Sequence, residues 1–148
     1  MIVLTRVDNR LIHGQVVQGW LPSLKVSEVV VVAPRATAFM QKMFRISLPG
    51  GYKLKVADAK ESVAYVQESK ENIFLIIEDV KLLFEMLKNG FAPELITLGN
   101  TQFEEGKKQY SPGVFLSEEE FKELKDLEKS KGISVEIRSL PSSLATKL

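Results

Sequence analysis

The stretch Glu28-Val29-Val30-Val31-Val32-Ala33 places four consecutive valines between a glutamate and an alanine. A continuous run of β-branched residues, with no polar residue at alternate positions, is typical of a strand buried on both faces of a parallel sheet. The run is also far shorter than the ~18 apolar residues that a membrane-spanning helix needs. The stretch therefore predicts a strand that is covered on both faces.

The sequence on either side of this strand alternates short β-rich runs with amphipathic helical patterns. The predicted strands are Ile2–Val7, Glu28–Ala33, Lys53–Ala57, Ile73–Ile77, Glu94–Leu98, Gly113–Leu116 and Ser134–Arg138. The predicted helices are Gly14–Leu21, Arg35–Leu48, Asp58 to about Lys70, Asp79–Gly90 and Ser117–Lys131. Strands separated by helices along the whole chain predict an α/β fold: an open, mostly parallel β-sheet with helices on both faces, a Rossmann-like three-layer sandwich.

The ends and faces of the helices are predicted from capping residues and apolar spacing. Pro22 is expected to end the first helix, because proline cannot continue the helical hydrogen bonds. The pairs Asp58 with Glu61 and Ser117 with Glu120 resemble capping boxes. In the second predicted helix, the residues expected to face the sheet are Phe39, Met40, Met43 and Phe44.

Composition excludes several classes of function. The 148 residues fit one domain, 1–148, and 45% of them are hydrophobic. The absence of cysteine and the single histidine exclude disulfides, thiolate zinc sites and multi-histidine metal sites within the chain. A formal net charge of +1 gives no general attraction to nucleic acid. The N-terminus reads Met-Ile-Val-Leu-Thr-Arg and turns polar at Asp8, unlike the charged-then-apolar order of a signal peptide, so we expect a cytoplasmic protein.

The richest group of functional side chains follows the first predicted strand. Ligands of open parallel sheets bind outside the carboxyl ends of the strands. The segment that leaves this strand contains Asp8, Arg10, His13 and Gly14, and Arg6 lies just before it. We therefore expect the functional site at this edge of the sheet.

These residue types suit a phosphoryl carrier. Histidine, with an ordinary pKa of about 6.5, is a mostly neutral nucleophile at physiological pH. The nearby Arg6 and Arg10 disfavour the imidazolium form of His13, and an arginine fork matches phosphoryl oxygens bidentately. Asp8 is expected to orient Arg10 or a ring nitrogen of His13. A glycine directly after the histidine, Gly14, allows a partner protein to approach closely.

Other interpretations of the same residues remain open at this point. Backbone N–H groups at the start of the next helix, around Gly14 and Gln15, are additional donors for an anion. The pair Arg6 and Asp8 also fits an ordinary ion pair, and Gly14 fits a simple turn. The residues alone suit a binder of a phosphorylated small molecule as well as a phosphohistidine carrier.

The stretch Arg6-Val7-Asp8-Asn9-Arg10-Leu11-Ile12-His13-Gly14-Gln15-Val16 resembles the signature of the IIB subunits of the mannose/fructose/sorbose family of the bacterial phosphotransferase system. Further similarity covers the valine-rich strand, the loop Gly99–Gln109 and the last strand before Pro141. The resemblance thus extends over nearly the whole chain, and it is most specific at the start.

The resemblance implies a role for each residue of the signature. His13 accepts phosphate through Nδ1 from a phosphohistidine on a IIA partner and passes it to a sugar that enters through membrane IIC and IID subunits. Arg10 and Arg6 stabilise the transferring group, and Asp8 supports them. The resemblance implies no nucleotide, metal or other cofactor, and it places the chain in the cytoplasm or, through the permease subunits, at the inner face of the membrane. A homo-oligomer stays open.

Two departures from the family pattern affect this interpretation. Glu78 and Asp79 follow the fourth strand, where the family has a small or hydroxyl residue, and carboxylates near a phosphoryl site would repel it unless they point away or pair with an arginine. Asp79 is expected to be a helix cap. Asn100 and Thr101 replace a common glycine pair, and either donates to phosphate or caps a turn.

Three hypotheses about function follow from these features. The first is a protein-histidine phosphotransferase that accepts phosphate on His13 from a IIA partner and passes it to a sugar during uptake. The second is a regulatory phosphoprotein of the same fold, which the carboxylate of Glu78 keeps open. The third is a non-catalytic binder of an anionic metabolite, with His13 as a hydrogen-bond donor.

Overall fold

The computed structural model describes residues 1–148 and contains one large sheet and one small hairpin. The strands are β1 Ile2–Asp8, β2 Glu28–Val32, β3 Lys53–Ala57, β4 Ile73–Ile77, β5 Leu95–Asn100, β6 Lys108–Ser111, β7 Val114–Leu116, β8 Ser134–Ile137 and β9 Thr146–Lys147. The α-helices are α1 Ala38–Ser47, α2 Ala59–Glu68, α3 Val80–Lys88 and α4 Glu118–Lys131. The seven-stranded sheet has the order β3-β2-β4-β1-β5-β8-β9, and β6 pairs with β7 separately.

Strand β1 is central and pairs in parallel with β4 on one side and β5 on the other. Only the short β9 at the edge is antiparallel within the large sheet. The chain leaves β1 toward β2 but leaves β5 toward β8, on the other side. Because these connections diverge, the carboxyl ends of β1 and β5 form a topological switch point, where open α/β sheets bind ligands.

Each face of the sheet has its own core. Val30 and Val32 of β2 point to the core formed with α2, α3 and α4, whereas Val29 and Val31 point to the core on the opposite face. All four valines are fully buried, and each such side chain stabilises the fold by roughly 1.5–3 kcal/mol. The predicted open, mostly parallel sheet with helices on both faces is confirmed.

The helix predicted over Gly14–Leu21 is not a regular α-helix. Residues Gln15–Trp20 form a π-helical turn, and Leu21–Ser23 continue it as a 3₁₀ turn. Pro22 lies inside the 3₁₀ turn, near its start, so it does not end the structure as predicted. Strands β6 and β9 were not predicted. They are only four and two residues long and mostly polar, so they show no apolar periodicity.

Helix α1 begins later than predicted and turns a different face to the sheet. It starts at Ala38, where Thr37 accepts a hydrogen bond from the Met40 backbone N–H. The prediction that Phe39 and Met43 point inward is wrong, because both side chains are exposed, while Phe44 is buried. Only one side of this short helix contacts the core. Phe39 and Met43 lie on the other side, so the exposed side of α1 is also apolar.

Of the two predicted capping boxes, one is fully formed and the other only in part. Ser117 and Glu120 form the full reciprocal capping box at the start of α4. Asp58 accepts a hydrogen bond from the backbone of Glu61, but the Glu61 carboxylate accepts from Lys55 instead of reaching back, so this box is only half formed.

Candidate functional site

The candidate site lies at the carboxyl end of the central strand. Asp8, the last residue of β1, accepts a hydrogen bond from the backbone N–H of Arg10 through Oδ1 at 3.1 Å. Its backbone carbonyl accepts from the N–H of Leu11, also at 3.1 Å. Leu11 has a φ of +59°, an uncommon left-handed conformation for a buried leucine. This tight turn brings His13 back over the end of its own strand.

The Asp8 carboxylate contacts the other three charged or ionisable residues of the predicted site. Its fully buried carboxylate accepts hydrogen bonds from Nε of Arg10 at 3.0 Å and from Nη2 of Arg10 at 2.9 Å. Oδ2 of Asp8 also lies 3.3 Å from Nε2 of His13 and 3.3 Å from Nε of Arg6. One carboxylate therefore holds the histidine and both arginines predicted from the sequence.

The surroundings keep Asp8 ionised. Burial alone would raise the pKa of its carboxyl group, but the hydrogen bonds from His13 and Arg10 and the charges of Arg10 and Arg6 act in the opposite direction. Together they hold the pKa of Asp8 well below its usual range. The carboxylate thus remains a negative acceptor at neutral pH.

The position of His13 leaves one ring nitrogen for chemistry. An ionised carboxylate only accepts hydrogen bonds, so Nε2 of His13 donates to Asp8. In the neutral ring the lone pair then lies on Nδ1, the nitrogen that the family resemblance implies as nucleophile. The side chain is 18% exposed, which leaves it accessible from solvent while the ring is held from beneath.

Arg10 is placed at the surface beside the histidine. Its side chain is 35% exposed, and Nη2 also donates to Oε1 of Gln15 at 3.2 Å. Asp8 and Gln15 therefore fix one edge of the guanidinium, and Nη1 makes no hydrogen bond within the protein. The Gln15 side chain orients Arg10 here.

Arg6 has no comparable access to the surface, although the sequence predicted that it contacts phosphate. The residue is fully buried, and Nη1 and Nη2 donate to the backbone carbonyls of Arg138 at 2.7 Å and Ser139 at 3.1 Å. Its guanidinium carbon lies 4.8 Å from the centre of the Trp20 ring. The placement therefore favours a role for Arg6 in supporting Asp8 from behind over direct contact with a phosphoryl group.

Two residues that the sequence did not single out for the site, Gly99 and Trp20, surround the Arg6 side chain. A Cβ atom on Gly99 would lie 2.2 Å from Nη2 of Arg6, so only glycine fits at this point of β5. The Trp20 Nε1–H donates to the Ser139 carbonyl at 3.0 Å, and the indole is buried. Nothing in the local sequence indicates these contacts, because they join residues far apart in the chain.

Asn100 and Thr101 lie at the end of β5 but have other partners. The Thr101 hydroxyl donates to the Phe115 carbonyl and accepts from the Phe115 N–H, both at 2.7 Å. The Asn100 amide donates to Oδ1 of Asn9 at 2.6 Å. The Thr101 hydroxyl proton is therefore used within the fold, which favours the structural alternative for this residue over phosphate binding, and Asn100 ties β5 to the loop after β1.

Glu78 and Asp79 both lie near one cation, Arg35. Nη2 of Arg35 lies 3.5 Å from Oε1 of Glu78 and 3.8 Å from Oδ2 of Asp79. Asp79 also caps α3, accepting a hydrogen bond from the backbone of Leu82 at 2.9 Å, as predicted. The pairing with Arg35 is one of the arrangements under which these carboxylates are compatible with a nearby phosphoryl group.

Gly14 and Gln15 stand at the start of the π-helical turn. Gly14 has ordinary right-handed helical angles, and a Cβ there would meet no atom within 4 Å. The glycine is therefore not required by the backbone, and it leaves open space next to His13. No group of three His, Cys, Asp or Glu side chains is arranged to hold a metal ion. No helix has the length and apolar character to span a bilayer.

A histidine anchored by a buried carboxylate, beside a partly exposed arginine at a switch point, is suited to phosphoryl transfer. Comparison with known proteins agrees with this class. The family described as "PTS system sorbose subfamily IIB component" matches residues 2–148, and the chain belongs to this family. It is thus a IIB component, a phosphoryl carrier of a sugar phosphotransferase system.

Individual relatives are similar over nearly the full length. The sorbose-specific EIIB component of Lacticaseibacillus casei is 27% identical over 146 residues, which cover 93% of this chain and 87% of the relative. The solved structure of the N-acetylgalactosamine-specific IIB component 1 from Escherichia coli has a TM-score of 0.91 at 27% identity, covering 100% of this chain and 99% of that one. A structure named manxB from Thermoanaerobacter tengcongensis has a TM-score of 0.87 at 27% identity, covering 99% and 92%.

Family membership implies the kinds of partner. A IIB component works with a IIA protein, membrane subunits and a sugar. The mannose-specific EIIAB component of Escherichia coli is 26% identical over 153 residues that make up 47% of that protein. The chain thus aligns with about half of this longer relative.

Proposed function

We propose that His13 is the residue of this carrier that bears the phosphoryl group. Nδ1 of the neutral ring attacks the phosphorus of a IIA phosphohistidine, so that a new N–P bond forms on His13 while the donor's N–P bond breaks. The proton on Nε2 stays in place, hydrogen-bonded to Asp8. The observation that carries the proposal is the 3.3 Å contact between Nε2 of His13 and the buried Asp8 carboxylate.

The charges around the ring support this step. A phosphorylated imidazole that keeps its Nε2 proton carries positive charge on the ring, and the negative Asp8 stabilises it. Arg10 lies beside the same carboxylate. The remaining N–H groups of its guanidinium can donate hydrogen bonds to phosphoryl oxygens. Arg6 acts as a positioning residue, because its donors are committed to Asp8 and to backbone carbonyls.

In the second half of the reaction the phosphoryl group passes to a sugar hydroxyl. An O–P bond forms, the N–P bond on His13 breaks, and the hydroxyl proton leaves to solvent or a base on the permease side. The ring then returns to its neutral form with Nδ1 unprotonated. The start of the π-helical turn at Gly14 and Gln15 is open toward solvent, which supports the approach of donor and acceptor to His13.

We further propose that the whole chain acts as one IIB domain on the cytoplasmic side of the membrane. A IIA protein is the phosphoryl donor, and membrane IIC and IID subunits present the sugar. The seven strands build one sheet, and no cofactor is required by the chemistry proposed for His13.

The test is intact mass spectrometry after incubation with phosphorylated IIA from the same cell. The wild type should gain one acid-labile phosphate, and His13→Ala should gain none. A parallel incubation with phosphoramidate, a small chemical phosphoryl donor, separates failure of the nucleophile from failure of protein docking. Phosphate on His13→Ala from either donor would refute the assignment, and a wild type that accepts phosphate from neither would favour an anion-binding role.

A further inference from the structure

One long segment of the chain is almost free of acidic residues. Between Asn9 and Ala57 the only carboxylate is that of Glu28, which is 1% exposed. Glu28 accepts hydrogen bonds from the hydroxyls of Tyr65 and Ser69, within the fold. The same segment contains seven basic residues: Arg10, Lys25, Arg35, Lys42, Arg45, Lys53 and Lys55. The acids of the chain are therefore concentrated outside this segment.

The segment covers one face of the sheet. The π-helical turn and α1 both pack on the core that contains Val29 and Val31, and α2, α3 and α4 pack on the other core. On that second side, α4 alone carries Glu118, Glu119, Glu120, Glu123, Asp126 and Glu128. We call the surface formed by the π-helical turn and α1 the cationic face, since the only charged side chains of these two elements are Lys42 and Arg45.

Apolar side chains protrude from the middle of the cationic face. On α1, Phe39 is 71% exposed, Met43 43% and Ile46 69%. Their spacing of four and three residues places them in one row along the outer side of the helix. Lys42 lies beside this row and has no carboxylate partner. The Arg45 guanidinium donates only to the backbone carbonyls of Tyr52 and Pro49.

We propose that α1, within the cationic face, binds the surface of an anionic phospholipid bilayer, with Phe39, Met43 and Ile46 inserted at the level of the headgroups. Basic residues near a surface helix are attracted to anionic lipids, while aromatic and aliphatic residues partition into the boundary between headgroups and acyl chains.

A lipid surface explains the pattern better than a protein partner. A planar anionic surface repels a carboxylate anywhere on the facing side, so it favours depletion over the whole face. A protein partner requires complementary charge only where the two proteins touch. The only charged residues of α1 are Lys42 and Arg45, and no acid interrupts its exposed apolar row, so the pattern of this helix favours the membrane. The inference does not depend on phosphorylation of His13.

The experiment is co-sedimentation of the full chain with vesicles at 0.1 M salt. Vesicles of equal parts phosphatidylglycerol and phosphatidylcholine should bind the wild type at least ten-fold more tightly than vesicles of phosphatidylcholine alone, and 0.5 M salt should abolish most binding. Lys42→Glu should weaken binding several-fold. Lys125→Glu, with the same change of charge on α4, is the matched control and should bind like the wild type.

Phe39→Ser tests the apolar contribution at a position that is mostly exposed, so that the fold is retained. It should weaken binding to the mixed vesicles several-fold, with an unchanged circular dichroism spectrum and unchanged phosphate uptake from phosphoramidate. Equal binding of Lys42→Glu and Lys125→Glu, or no binding of the wild type to the mixed vesicles, overturns the proposal. Normal vesicle binding by Phe39→Ser with slower phosphate uptake from phosphorylated IIA also overturns it, and assigns the row to a protein partner.

Discussion

Nε2 of His13 lies 3.3 Å from Oδ2 of Asp8, and the same carboxylate bonds to the guanidinium groups of Arg6 and Arg10. The nucleophile proposed here is therefore held by a group that water does not reach. Because Asp8 is the shared acceptor, its charge links the stability of the fold to the geometry of the site.

Asp8 should make stability depend on acid pH. Its pKa in the folded state is lowered, so its contribution is fully present above the ordinary unfolded value of about 3.9 and is lost as the pH falls below that value. Urea unfolding of the wild type should show a steeper loss of free energy from pH 6 to pH 3 than unfolding of Asp8→Asn. Parallel pH profiles would contradict the coupling. If Asp8→Asn does not fold, titration of the Asp8 carboxyl carbon by NMR gives the same information.

Arg10→Ala should slow phosphate uptake and also destabilise the fold. Loss of one charge-stabilising donor typically lowers a rate by ~10²-fold, and hydrogen bonds to a charged group such as the buried Asp8 carboxylate contribute about 1.5–3 kcal/mol. The measurement is the rate of phosphorylation by phosphoramidate, which removes any effect on protein docking. Arg45→Ala is the control, because it deletes an exposed arginine of α1. Equal rates for the two variants would show that Arg10 is only structural.

Gly99→Ala should displace Arg6. The added methyl group would lie 2.2 Å from Nη2, and the guanidinium is fixed by Asp8 and two carbonyls, so it cannot swing away freely. We expect a loss of about 1–3 kcal/mol in the free energy of unfolding, as for overpacked cores, together with slower phosphate uptake. Gly50→Ala, whose methyl group would meet nothing within 4 Å, should change neither. A Gly99→Ala variant of wild-type stability and rate would remove the positioning role from Arg6.

Tyr65→Phe should destabilise the protein at neutral pH. The Tyr65 hydroxyl donates to the buried Glu28 carboxylate, and bonds to charged groups contribute about 1.5–3 kcal/mol. This bond raises the pKa of Tyr65 to about 12, so its contribution is present below the unfolded value of about 10 and is lost as the pH rises through the folded value. Urea unfolding at pH 7 measures the loss, and spectrophotometric titration measures the pKa. Tyr110→Phe, at a ring stacked on Phe121, is the control and should cost less.

Patterns within the chain predicted the sheet and most of the site. The valine run of β2 is buried on both faces, as its lack of alternation indicated. Asp8, Arg10 and His13 lie within six positions, and the end of the central strand brings them together. Such features depend on neighbours in sequence, which periodicity and motif spacing report directly.

Features that depend on distant partners were not predicted. The buried environment of Arg6 comes from carbonyls at the other end of the chain, and the Thr101 hydroxyl is satisfied by Phe115 across the hairpin connection. The faces of α1 were misassigned because both sides of the helix are apolar, and only the position of the sheet decides which side is buried. The exposure of Phe39 is the clearest consequence.

The bonds from Arg6 to the carbonyls of Arg138 and Ser139 span 132 and 133 residues. Contacts between such distant residues form late in folding, because the intervening chain must first be ordered. During synthesis, the His13 turn therefore leaves the ribosome long before the acceptors of Arg6 exist. Until then Arg6 lacks two of its hydrogen-bond acceptors, so the His13 turn reaches its final geometry only after Arg138 and Ser139 have been made.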